Sequence, residues 1–172
     1  MSLLSRLFRG RRDPRDAMRP LWHRVVELSR EPQWYAQHGV ADTMAGRFDM
    51  IAAVLCLVLL RLERDPDAKQ PPVFLTELFV ADMDGQLRES GVGDVVVGKH
   101  IGRLMSVLGG RLGAFRDALR APGDDALAAA VARNVSLLEG ADPGKLAAAL
   151  RTLEQQLAAL DDEALLAGRI AR

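Results

Sequence analysis

Apolar residues recur every three or four positions along most of the chain, and strict alternation is scarce. The clearest run is Val97, Ile101, Leu104, Leu108, Leu112, Phe115 and Leu119, which predicts one long helix with Asp94 as its N-cap. Before it, Leu75, Phe79, Met83 and Leu87 step by four behind Pro71-Pro72 and predict another helix, ended by Gly91-Val92-Gly93. The stretch from Met50 to Leu60 differs: it is apolar without interruption and is bracketed by Asp49 and Arg61. That is about half of the roughly 20 residues a bilayer span needs. It predicts a helix surrounded on all sides by others, capped by Asp42 or Thr43 and reaching about Glu63.

Shorter elements flank these. Leu3, Leu4, Leu7 and Phe8 fall on one face of a short helix with Arg6 and Arg9 beside it, and Asp13-Pro14 then breaks the chain. Pro20 suits the first turn of a helix running to about Arg30, and Glu31-Pro32 opens a shorter one that Gly39 ends. Gly109-Gly110 would allow a kink or the close approach of another backbone. Beyond Ala121-Pro122-Gly123, two or three Ala/Leu-rich helices should start near Asp124, Asp142-Pro143 and Asp161. The expected fold class is all-α. It is a single helical domain of about six to eight helices around a central apolar helix, with an Ala/Leu-rich C-terminal helical hairpin. The expected organisation is a basic amphipathic arm at 1–19, a core at 20–121 and a C-terminal helical extension at 122–172.

Composition supports a packed core, with 49% hydrophobic residues among 172. Acidic and basic residues balance at 23 each, so no global field points to sequence-specific nucleic acid. The balance is uneven, however: residues 1–30 hold eight arginines against Asp13, Asp16 and Glu27. The lone cysteine, Cys56, rules out an intramolecular disulfide or a cysteine-based zinc site and reads as a small buried hydrophobe. A reducing, cytoplasmic compartment fits, and the N-terminal stretch lacks the apolar core of a secretory signal.

The sequence offers little for catalysis. Gly93-Asp94-Val95-Val96-Val97-Gly98-Lys99-His100 misses a phosphate-binding loop by one residue. A helical rather than strand-like segment precedes it, His100 replaces the metal-binding hydroxyl, and Asp94 puts a carboxylate where phosphate would sit. Asp82-x-Asp84 resembles the opening of a calcium loop, but Leu87 and Gly93 occupy the positions that need Gly and Glu. His23, His38 and His100 are not at ligand spacing, and no nucleophile signature is present. Two alternatives to a binding protein stay open. One is a helical enzyme with Asp82, Asp84 and Asp94 holding Mg²⁺ for a phosphorylated substrate; the other is a plain helical interaction scaffold.

The remaining polar signal is a set of charges at helix ends beside glycines. Asp42 and Arg47 lie at the mouth of the central helix; Asp84, Arg88 and Glu89 end one helix; Asp94 and Lys99 begin the next. Lys99 and Arg103 lie four apart, opposite the apolar stripe. Capping accounts for Asp42 and Asp94, but a cation at Arg47 is disfavoured by the helix dipole and needs a carboxylate partner in this chain or another.

At these residues the chain resembles the ubiquinol–cytochrome c chaperone family. The front signature is Tyr35-x-x-x-Gly39-Val40-x-Asp42-Thr43-x-x-Gly46-Arg47-Phe48-Asp49. The rear one is Asp82-Met83-Asp84-x-x-Leu87-Arg88-Glu89-x-Gly91-Val92-Gly93-Asp94-x-x-Val97-Gly98-Lys99. The resemblance covers about residues 20–120, and Ser90 departs from it by standing where a larger residue is expected. It implies an all-helical, non-catalytic assembly factor of the cytochrome bc1 complex that binds newly made cytochrome b or its assembly intermediates. Mitochondrial members also act with the ribosome exit region and a small partner protein. No cofactor is expected. Tyr35, Asp42, Arg47, Asp84, Arg88, Asp94, Lys99 and Arg103 are the expected partner-binding residues. Leu3, Leu4, Leu7 and Phe8 are the expected peripheral membrane contact, on the cytoplasmic face of the inner membrane.

Overall fold

The computed structural model describes residues 13–65, 69–89 and 94–171, and their side chains except at 87–89 and 94–100. The expected membrane contact at Leu3, Leu4, Leu7 and Phe8 lies outside the described residues, as do the side chains of Arg88, Asp94 and Lys99.

A 3₁₀ turn at Pro14–Met18 leads into α1 (Arg19–Ser29) and α2 (Pro32–Ala36). Then come α3 (Met44–Leu62), α4 (Gln70–Glu89), α5 (Asp94–Arg120), α6 (Asp125–Asn134), α7 (Pro143–Ala158) and α8 (Asp162–Leu166). The fold is all-α. Backbone pairing between extended segments, among the described residues, is a single antiparallel bridge, Val40 with Leu137.

Local chemistry sets the helix starts. Thr43 Oγ1 accepts the Gly46 N–H at 3.1 Å, Asp142 accepts that of Gly144 at 2.8 Å, and Asp161 accepts that of Ala164 at 2.7 Å. Of the two residues expected to cap α3, Thr43 does so, which leaves the Asp42 carboxylate free for another partner.

Helix α3 is the centre of the molecule. Every residue from Asp49 to Leu59 is buried, because α1, α4, α5 and α7 all pack against it. The stripes read from the sequence face this core: Leu75, Phe79 and Met83 are buried on α4, and Leu108 and Phe115 on α5. Cys56 is fully buried in α3, and desolvation pushes its thiol up to about 12. Helix α5 runs unbroken through Gly109-Gly110, and among the described residues nothing lies within 4 Å of a Cβ placed at either, so none of their backbone approaches there.

The C-terminal helices join the same core. Leu146, Leu150, Leu153 and Leu157 of α7 are fully buried, and α7 packs on both α6 and α3. Arg61, at the end of α3, donates to the carbonyls of Leu157 and Leu160 at 3.1 and 2.7 Å. These contacts satisfy carbonyls that the end of α7 leaves open. Near the end of the chain, Arg24 of α1 donates to the Ile170 carbonyl at 3.0 and 2.7 Å.

Candidate functional site

The first turns of α3 form one wall of a groove of about 1210 Å³. Met44, Arg47, Phe48 and Ile51 contribute to it, with Tyr35 of α2 beside them. Met83 and Gln86 of α4 and Leu104 of α5 form the opposite wall. The floor is therefore apolar and the edge charged.

Two aromatic residues pin α2 in place. Trp34 Nε1 donates to the Leu28 carbonyl at 2.6 Å, and the Tyr35 hydroxyl donates to that of Ser29 at 3.0 Å. Both acceptors belong to the last turn of α1, where helical carbonyls lack partners. Partial burial raises the Tyr35 hydroxyl above its ordinary pKa, which keeps it a neutral donor.

The loop from Gly39 to Thr43 turns the chain into α3. Gly39 sits at φ +75°, and a Cβ there would also meet Ala141 Cβ at 2.6 Å. The segment around Ser136 lies against this loop. Ala41 N–H donates to the Ser136 carbonyl at 2.9 Å, and Leu138 N–H donates to that of Gly39 at 2.8 Å. A Cβ at Gly46 would lie 1.9 Å from the Ala41 carbonyl oxygen, so only glycine lets the first turn of α3 pack on the loop.

Arg47 has the carboxylate it requires within this chain. Its Nε donates to Asp42 Oδ1 at 2.7 Å across the exposed rim. The guanidinium holds the Asp42 carboxyl below the usual carboxylate range, and the carboxylate raises Arg47 in turn. Tyr35, Asp42 and Arg47 are thus brought together on one wall. Asp84 is half-buried on α4 beside Met83, and Arg103 is exposed on α5 beside Leu104; neither lines the groove. Among the described residues, no three His, Cys, Asp or Glu side chains converge to hold a metal ion.

Beneath the rim lies a polar node that sequence reasoning missed. Asp49 is 6% exposed and accepts from Arg111 Nη2, from the Ser136 backbone N–H at 2.8 Å and from the Ser136 hydroxyl at 2.7 Å. The Arg111 guanidinium also lies 5.5 Å from the Phe48 ring centroid, and Phe48 packs against Phe79 at 6.2 Å. Phe48 is therefore held from both sides as part of the groove floor. The available signal was Asp49 itself, a carboxylate entering an apolar helix, which demands donors from elsewhere. Met44 was missed too: it heads α3, lines the groove and is 81% exposed.

A sequence model described as Ubiquinol-cytochrome C chaperone matches residues 36–172. The chain belongs to the ubiquinol–cytochrome c chaperone family. For the ubiquinol–cytochrome c chaperones, then, the matched region includes the groove wall from Asp42 to Ile51. It also continues through α6–α8, well past residue 120, where the resemblance carried by the two signatures ends. Among solved structures, the chain is similar to the Cbp3 homolog from Brucella abortus. The identity is 32% and the TM-score 0.79, over 99% of this chain and 96% of that one. That match takes in α1 as well, which lies ahead of the family match. None of the curated proteins matches the chain. Among the described residues, no helix is long and apolar enough to cross a membrane.

Proposed function

We propose that the chain is a non-catalytic assembly chaperone of the cytochrome bc1 complex, and that the groove holds an apolar segment of newly made cytochrome b. Family membership supports the assembly role. The observation that carries the binding mode is the groove itself: an apolar floor of Phe48, Ile51, Met83 and Leu104, opened by an exposed Met44. Thioether side chains adapt to varied apolar surfaces, which suits a client that is not yet folded. Release needs a competing partner of higher affinity, since a bound segment shifts only by differential binding.

Arg47, Asp84, Arg88, Asp94, Lys99 and Arg103 act in this reading as the polar surround that orients the client. Leu3, Leu4, Leu7 and Phe8 bring the protein to the cytoplasmic face of the membrane, where cytochrome b inserts. Contacts with a ribosome or a small partner protein belong to the same reading.

The test is affinity capture of cytochrome b from respiring cells by the unchanged protein and by Met44→Glu. Met44 is exposed, so the variant folds, while a charge enters the groove. Capture should fall about tenfold, the scale of one lost apolar anchor, and assembled complex should fall with it. Undiminished capture by Met44→Glu would remove the groove. Normal complex levels in a strain lacking the protein would remove the assembly role.

A further inference from the structure

At the other end of α3 from the groove, a smaller hollow of about 300 Å³ lies between α3, α5 and α7. Its floor is apolar, made by Leu57, Leu60 and Leu119. Its rim carries four arginines, Arg61, Arg64, Arg116 and Arg120, against two carboxylates, Glu63 and Glu154. With Asp162, which pairs with Arg61, the four arginines meet three carboxylates, so an excess of one positive charge is concentrated here on a chain whose net charge is zero.

Three of these arginines are fixed by the protein. Arg61 is held by the carbonyls of Leu157 and Leu160 and by Asp162. Arg116 uses Nη2 for both Glu63 oxygens, at 2.9 and 2.7 Å, and Arg64 uses Nη2 for Glu154. Arg64 and Arg116 therefore keep Nε and Nη1 without partners among the described residues. Arg120, in the last turn of α5, makes no hydrogen bond or ion pair among the described residues. The α5 dipole favours its charge there.

Guanidinium forks held in position above an apolar floor are suited to phosphate oxygens, which accept paired N–H donors. We infer that this hollow is a binding site for a phosphate group, either free or as the headgroup of an anionic phospholipid, gripped by Arg64, Arg116 and Arg120. The site is separate from the groove and does not depend on what the groove holds.

The experiment uses the full chain. Calorimetric titration with inorganic phosphate is one arm; co-sedimentation with phosphatidylcholine vesicles, with and without phosphatidylglycerol, is the other. Arg120→Gln removes a side chain that makes no hydrogen bond or ion pair among the described residues. Arg133→Gln, in the last turn of α6 and outside the hollow, controls for loss of one exposed helix-end charge. The expected result is binding in at least one arm, weakened about tenfold by Arg120→Gln and changed by less than about twofold by Arg133→Gln. Binding of phosphate identifies the free anion, and selective binding of the phosphatidylglycerol vesicles identifies the headgroup. No binding in either arm, binding untouched by Arg120→Gln, or equal loss in both variants would overturn the site.

Discussion

Asp49 and Ser136 are joined by two hydrogen bonds, one from the serine N–H at 2.8 Å and one from its hydroxyl at 2.7 Å, across 87 positions of sequence. The bonds tie the first turns of α3 to the α6–α7 connection, which also holds the Gly39–Ala41 loop. The groove wall is therefore braced by the C-terminal helices. Arg111 completes the node, but its Nε and Nη1 are buried without partners among the described residues, so the node is not fully satisfied there.

Asp49→Asn should destabilise the protein by about 3 kcal/mol, because it leaves the Arg111 charge buried and uncompensated. Ser136→Ala removes one of the two serine bonds and keeps the backbone N–H, so it should cost about 1–2 kcal/mol. The double replacement Asp49→Leu with Arg111→Met should recover part of the Asp49→Asn loss, since the pair is incompletely hydrogen-bonded and apolar groups need no partners. Urea unfolding midpoints check this ordering. Equal losses for Asp49→Asn and Ser136→Ala would contradict it.

Glycines should divide into two classes. Gly46→Ala drives a Cβ to 1.9 Å from the Ala41 carbonyl oxygen, so the loop or α3 must move. It should unfold the groove wall or cost more than about 3 kcal/mol, as severe core overpacking does. Gly109→Ala and Gly110→Ala lie within a helix with none of the described residues inside 4 Å of the added Cβ, and each should stabilise by about 0.5–1 kcal/mol. Thermal melts of the three variants report both signs.

Much of this architecture is legible in the sequence, because its causes are local. The periods of α4 and α5 and the caps at Thr43, Asp142 and Asp161 each depend on residues a few positions apart. The need of Arg47 for a carboxylate follows from the helix dipole, and the answering Asp42 lies five residues away. Arg111 and Ser136 meet Asp49 from 62 and 87 residues away, a pairing that no local pattern encodes. The groove likewise joins α2, α3, α4 and α5, so its floor exists only after packing. The family match runs on past residue 120 for a related reason: α7 shows only an Ala/Leu pattern in the sequence, and its importance lies in where it packs.

Two carboxylates should titrate low. Hydrogen bonds from the Arg15 side chain and backbone bring Asp13 from 3.8 to about 2, and the Arg47 side chain lowers Asp42. Both groups have folded pKa values depressed below the unfolded one. Their contribution to stability is present above pH 3.8 and lost as pH falls, for Asp13 toward 2. Carboxyl NMR titration should show both midpoints below 3.8, with Arg47→Gln returning Asp42 to the ordinary value and Arg15→Gln raising Asp13 only part of the way, since the residue-15 backbone N–H still donates to it. An unmoved Asp42 midpoint in Arg47→Gln would refute the pairing in solution.

Cys56 is fully enclosed and its thiol is raised to about 12, so almost no thiolate exists in the folded protein at neutral pH. Alkylation should proceed only through unfolding. Its rate should rise steeply with urea and match the unfolding kinetics. Rapid labelling of the folded protein would mean that α3 is open to solvent.

Removing residues 123–172 should abolish cooperative folding of the remainder. The truncation strips α7 from α3, exposing the surface that Leu146, Leu150, Leu153 and Leu157 cover. Each such leucine contributes about 1.5–3 kcal/mol on burial. Four together therefore approach the roughly 5–15 kcal/mol that holds a whole domain folded. The cut also removes Ser136 from Asp49, and the Leu157 and Leu160 carbonyls from Arg61. Near-UV circular dichroism of Trp22 and Trp34, both buried against the same core, reads the outcome: the truncated chain should lose the signal while keeping helical far-UV absorption. A sharp unfolding transition in the truncated chain would show instead that α1–α5 fold unaided, and that the groove wall stands without its C-terminal brace.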